Sequence, residues 1–154
     1  MSFLIAVGIS VGILAGLWTG VSVTYGLVTF VGFLSWASFY AAGGKVKGLK
    51  DSLILNFSGV VWGFLIVQMS TLFGPILGST IGLSVAVVIG AGAMCWQAQI
   101  PLLGFIPGAF IGASAYFATG FNFQSTVIAL ICGAVLGYIS EQGGLFLQKS
   151  FSKK

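Results

Sequence analysis

The sequence predicts an all-α, polytopic integral membrane protein, with six transmembrane helices arranged as two inverted three-helix repeats. Three observations predict it. Hydrophobic residues make up 58% of the chain and charged residues 5%, and mean hydropathy is +1.12. Soluble domains carry roughly 25% charged residues, so this chain has too few polar groups to cover a water-facing surface. Six apolar runs are each long enough, at roughly 20 residues, to cross the ~30 Å hydrocarbon layer. The second half of the chain also repeats the first.

The runs lie at about 3–20, 22–42, 52–71, 76–97, 101–119 and 125–147. Segment 1 opens MSFLIAVGISVGILAG and lacks the basic start of a targeting peptide, so it is expected in the mature protein. Segment 2 follows a weak break at Gly20–Val21. Segment 3 follows the lysine-rich stretch 43–51, where Asp51 reads as a cap favoured by the helix dipole. Segment 4 follows Phe73–Gly74–Pro75, and segment 5 follows Gln97, Gln99 and Pro101. Within segment 5, GFIPGAFIG contains Pro107, which removes a helical hydrogen bond and predicts a kink or break. Segment 6 follows Thr119–Gly120–Phe121–Asn122.

The lysines test the count. Lys45, Lys47 and Lys50 form one cluster, and Lys149, Lys153 and Lys154 the other. Positive residues favour the cytoplasmic side, so the clusters need an even number of spans between them, and segments 3 to 6 supply four. Both termini and the 43–51 loop are then expected in the cytoplasm.

The repeat unites about 3–71 with about 76–147 in a single transmembrane domain, 1–154. ASFYAAGG at 37–44 matches ASAYFATG at 113–120, an offset of 76. GISV at 8–11 matches GLSV at 82–85, and GVVWGFL at 59–65 matches GAVLGYI at 133–139, both at 74. Three spans per half is an odd number, so the second half enters the bilayer from the opposite side.

Lipid is as apolar as leucine, so membrane helices associate by close packing at small residues. Gly8, Gly12, Gly16 and Gly20 form such a stripe on segment 1; Gly74, Gly78, Gly82, Ala86 and Gly90 on segment 4; and Gly104, Gly108 and Gly112 on segment 5. Gly59/Gly63 and Gly133/Gly137 do so on segments 3 and 6. Trp18 and Trp96 read as interface anchors, Trp36 and Trp62 as deeper residues.

Enzymatic chemistry is not expected. The chain has no His and no Arg, and its carboxylates are Asp51 and Glu141 alone, which leaves no His-based triad and no His/Cys zinc site. Cys95 and Cys132, inside apolar runs, read as small buried side chains. No cofactor, metal or nucleic-acid partner is expected; the partners are the lipid bilayer, a small-molecule solute and further copies of the chain.

If the halves meet across a pseudo-two-fold, GFLSWAS and GFIPGAFIG come together. Phe33, Ser35, Trp36, Tyr40, Asn56, Phe105, Pro107 and Tyr116 are then the candidates for a constriction. Gln97, Gln99, Glu141 and Gln142 are candidates for a cytoplasmic mouth, with Glu141 equally readable as a solvated helix end.

At GFIPGAFIGASAYFATG, SGVVWGFL and GYISEQGGLFLQ the sequence resembles a family of small, uncharacterised bacterial inner-membrane proteins that includes YcdZ, classed as a domain of unknown function. The resemblance implies a multi-pass protein of the bacterial cytoplasmic membrane and carries no functional residues. The expected function is a channel or facilitator for a small neutral solute or weak acid. A non-conducting scaffold or regulator is the rival, and a secondary transporter comes third. Passive conduction is favoured because coupled transporters keep ionisable groups within the membrane, and none is expected near the midplane here.

Overall fold

A computed structural model describes residues 1–151. Among them six α-helices form: α1 (Phe3–Thr24), α2 (Thr29–Ala41), α3 (Lys45–Leu77), α4 (Ser79–Trp96), α5 (Ile106–Ala118) and α6 (Phe123–Phe151). Two short 3₁₀ turns, Gln97–Gln99 and Pro101–Leu103, link α4 to α5.

Of the six spans expected, four are met by helices of full length. Phe3–Thr24, Lys45–Leu77, Ser79–Gln99 and Phe123–Phe151 are long and apolar enough to cross a membrane. α2 and α5 have 13 residues each, about 20 Å at the helical rise and short of the ~30 Å layer. Hydropathy scores apolar residues whether or not they are helical. Residues 25–28 and 101–105 are largely apolar yet lie outside α-helices.

Several boundaries move for local reasons. α1 passes Gly20 and ends at Thr24, ahead of Gly26 in the left-handed region. α3 starts six residues before Asp51, so Asp51 caps nothing and instead pairs with Lys47 one turn earlier. That pair is solvent-facing and contributes little. α3 also runs through Pro75 and stops at Gly78. Pro107 does not kink a helix; it occupies the first turn of α5, where its missing N–H removes no helical bond.

The long helices serve as docking rails. α1 and α2 pack on α6, α4 and α5 pack on α3, and α3 meets α6. The closest approaches use glycine. A Cβ on Gly59 would strike the Ala109 carbonyl of α5, one on Gly112 the Asn56 carbonyl of α3, and one on Gly133 the Gly32 carbonyl of α2. On α4, Gly82 abuts the backbone of Gly74 and Gly90 abuts the Ile66 side chain. On α1 the stripe faces outward: among the described residues nothing lies within 4 Å of a Cβ on Gly8, Gly12, Gly16 or Gly20.

Cross-helix contacts sort the ends of the bundle. Val7 and Ser10 of α1 touch Gly144 and Gly143 of α6, and Lys45 binds Glu141. The start of α1, the α2–α3 turn and the last third of α6 therefore share one end. Lys149 lies two turns beyond Glu141 on the same helix, so it joins Lys45, Lys47 and Lys50. Lys153 and Lys154 lie outside the described residues. Trp18 sits toward the other end. It is buried against Gly32 and donates its indole N–H to the Thr29 carbonyl (3.0 Å), so it anchors α2 rather than an interface. Trp96 is 68% exposed and fits the anchor reading. Cys95 is exposed, contrary to expectation, and Cys132 is half-buried.

α2 and α5 end in the same turn, in a register the octets missed. Gly44 N–H bonds the Phe39 carbonyl as Phe121 N–H bonds that of Tyr116, and Gly43 to Tyr40 repeats as Gly120 to Phe117. The structural offset is therefore 77, where the octets align at 76. One residue turns a helix face by about 100°. Tyr116 thus corresponds to Phe39, not Tyr40. Tyr116 packs on Gly63 as Phe39 packs on Gly137, whereas Tyr40 stays 36% exposed.

Candidate functional site

Serine and asparagine inside a membrane bundle must find partners, because lipid offers none. Ser35 and Ser38 of α2 lie three residues apart and so share a face. Both meet Asn56 of α3, and all three are fully buried. Ser38 donates to Asn56 Oδ1 (2.9 Å), Asn56 Nδ2 donates to Ser35 (3.1 Å), and Ser35 donates to the Leu130 carbonyl of α6 (2.5 Å). Three helices are tied by one chain of hydrogen bonds. A double-mutant cycle across Ser38→Ala and Asn56→Leu is expected to show coupling of about 0.6 kcal/mol, as for interhelical bonds in lipid. Unfolding of the four proteins in detergent or bicelles measures it, and zero coupling would contradict the contact.

A second cluster lies toward the lysine end. Ser140 donates to the Gly137 carbonyl (2.7 Å) and accepts the Trp36 indole N–H (3.0 Å), so the Tyr40 hydroxyl at 2.8 Å is a second donor to it. Beside it Glu141 is 8% exposed, and its Oε2 accepts the Lys45 N–H at 2.7 Å. Its other oxygen rests against Gly44. A carboxylate from α6 therefore caps the N-terminus of α3, where the helix dipole favours negative charge. Glu141 is therefore a buried cap and not a solvated helix end.

A third cluster joins α3 to the α4–α5 connection. Gln97 Oε1 accepts from Ser58 (2.7 Å) and from the Trp62 indole (3.0 Å), while its Nε2 is buried and has no partner among the described residues. Ser58 lies 13 residues past Lys45 on α3, about 20 Å along the axis. Gln97 and Glu141 therefore do not converge on a common mouth, and Gln99 and Gln142 are exposed. The proposed mouth is corrected to two separate sites.

The expected constriction is also redistributed. Ser35 and Asn56 meet, Trp36 and Tyr40 meet on Ser140, and Tyr116 is packed on Gly63. Phe33 stacks on Trp36 with rings 6.1 Å apart, and Pro107 is exposed. Phe105 is the candidate that borders open space. It lines a cleft of about 310 Å³ with Pro101, Leu102 and Gly104, the end of α2 at Ala41 and Ala42, and Lys47 and Asp51 of α3. On its inner side Phe105 packs with Leu103 and Trp62 against the Leu55–Met94–Ala109–Ala113 core.

Ser38, Ser58 and Ser140 escaped the sequence reading. The three-residue spacing of Ser35 and Ser38 was the one available signal; Ser58 and Ser140 matter only through partners distant in the chain.

Among known proteins, the family described as a protein of unknown function, DUF1097, matches residues 8–145. The chain is 38% identical to the uncharacterized protein YahC of Escherichia coli strain K12, covering 100% of this chain and 98% of the relative. It is 38% identical to the inner membrane protein YcdZ of the same strain, covering 99% and 93%. Identity to the inner membrane protein YcdZ of Salmonella typhimurium strain LT2 is 36%, covering 96% and 91%. No solved structure matches the chain. These similarities agree with the resemblance carried by GFIPGAFIGASAYFATG.

Proposed function

The chain belongs to the DUF1097 family, whose function is unknown and which has inner-membrane relatives, and from that premise we propose that it is a passive facilitator for a small neutral solute or weak acid. The proposal is non-enzymatic and takes the protein as a homo-oligomer in the inner membrane. The lysine end faces the cytoplasm, and so do both termini, in keeping with the positive-inside rule.

The architecture read here is a pair of inverted three-helix repeats. In its support, each half offers a long helix, a 13-residue helix and a long helix, and each half's first two helices pack on the other half's third. The short helices α2 and α5 end in the same turn. Inverted repeats commonly carry a solute site at their interface.

The observation that carries the proposal is the cleft at the lysine end, where residues 101–105 of the second repeat, outside any α-helix, face Ala41, Ala42, Lys47 and Asp51 of the first. Irregular backbone at membrane depth is tolerated where it is buried in protein or lines a wet cavity. A solute enters there and meets Phe105 as the plug. Passive conduction is favoured by where the carboxylates are engaged: Asp51 pairs with Lys47 at the bundle's end, and Glu141 caps α3. Gradient-driven uptake lost in Glu141→Gln would instead promote a secondary transporter.

In stopped-flow swelling of proteoliposomes, small neutral solutes are expected to enter faster than into empty liposomes, and faster still with Phe105→Ala. No excess permeability for any solute tested, from folded and assembled protein, would overturn the proposal. It would favour a non-conducting scaffold or regulator, a reading supported by the closed bonding of Ser35, Ser38 and Asn56.

A further inference from the structure

We propose that the Gln97 carboxamide is a recognition point for the carbonyl oxygen of a small neutral solute. The inference deepens the facilitator reading and rests on it for the route by which solute arrives. Its own footing is the orientation of one amide.

Gln97 Oε1 faces two groups, Ser58 Oγ at 2.7 Å and Trp62 Nε1 at 3.0 Å. An indole nitrogen can only donate, so the atom facing it must be the oxygen. The amide cannot flip without setting N–H against N–H. Its Nε2 is therefore held pointing away with two hydrogens to give, and it is buried with no acceptor among the described residues. A buried donor left unmade costs about 1–3 kcal/mol, so such a group calls for an occupant.

The chemistry of the occupant follows from what the site has left to offer. Oε1 already accepts two donors, so the carboxamide presents donors alone. A carbonyl oxygen has two lone pairs and brings no proton on that atom. A hydroxyl brings its own O–H, for which this amide has no acceptor to spare. The site thus prefers a carbonyl compound to an alcohol of like size.

The route is short. Ser58 stands seven residues, two turns, above Asp51 on the same face of α3, and Asp51 borders the cleft. Phe105 lines the cleft and packs on the same core as Leu103 and Trp62, and Trp62 donates to the Gln97 amide oxygen, so this aromatic cluster links cleft and amide. Movement of Phe105 within that cluster is the step that would open the donor to a solute in the cleft.

The test is a titration of the intact protein in nanodiscs with acetamide and, separately, ethylene glycol. The side-chain ¹⁵N–¹H signals of Gln97 are assigned by their absence in Gln97→Met, or by their displacement in Gln97→Asn if that variant fails to fold. A saturable shift with acetamide and none with ethylene glycol is expected. In liposomes, Gln97→Met is expected to lower the acetamide-to-glycol permeability ratio roughly five-fold, the size of one net hydrogen bond. No saturable acetamide shift would overturn the inference and leave the amide to an ordered water only. So would an equal response to both solutes, or an unchanged ratio. A saturable shift with no flux of either solute would sink the facilitator reading while sustaining the site.

Discussion

Gly112→Ala is expected to force α5 off α3 and to cost about 3 kcal/mol, the upper range for overpacking a tight contact. The added methyl would occupy the position of the Asn56 carbonyl oxygen, and backbone cannot swing aside as a side-chain tip can. Gly59→Ala and Gly133→Ala meet the carbonyls of Ala109 and Gly32 in the same way and should behave alike. Gly12→Ala and Gly16→Ala are the controls. Nothing among the described residues lies within 4 Å of either Cβ, and alanine is the better helix former by up to about 1 kcal/mol. Unfolding of the monomer in detergent should therefore separate the Gly59, Gly112 and Gly133 substitutions from those on α1. Equal losses in the two sets would mean that the helices do not cross where described.

Glu141→Ala is expected to cost about 2 kcal/mol, within the range for a hydrogen bond to a charged group. It leaves the Lys45 N–H of α3 without its acceptor and removes negative charge from the helix N-terminus. The turn it braces is conformationally costly: Gly43, Gly44 and Lys45 all have positive φ, and Lys45 at +59° is not a glycine. Glu141→Gln keeps a side-chain oxygen for the N–H and should lose well under half as much. Amide hydrogen exchange at Lys45–Leu49, read beside the unfolding midpoint, tests this. Faster exchange in Glu141→Ala than in Glu141→Gln is the expected order; identical behaviour of the two would mean that the carboxylate does not cap α3.

The same two sites mark how far the sequence could be read. Glu141 stood out as one of only two carboxylates, and its position near the lysine end was correctly inferred. Its partner could not be, because Lys45 contributes a backbone N–H, which every residue but proline also carries. Asn56 was singled out as a polar group in an apolar run and is indeed buried. Its role as a tie between α2 and α3 depended on Ser35 and Ser38 facing it, which is a matter of helix rotation. Gln97 was grouped with Glu141 because both fall near one membrane face. They lie instead about 20 Å apart along α3, Glu141 at Lys45 and Gln97 at Ser58, so neither depth nor azimuth was legible for this pair.

By itself the sequence determined the class and much of the plan: a membrane-embedded, all-helical chain with its described lysines gathered at one end and small residues set for close contact. Scarcity of charge and the spacing of glycine are enough for that, since both are properties of a line. Only the tertiary structure decided that α2 and α5 stop at 13 residues, that the turns ending them match at an offset of 77, and that the glycines of α5 and α6 are consumed in packing while those of α1 are not. Each of these turns on which residue of one helix meets which residue of another. A slip of one position rotates a face by about 100° and leaves hydropathy unchanged.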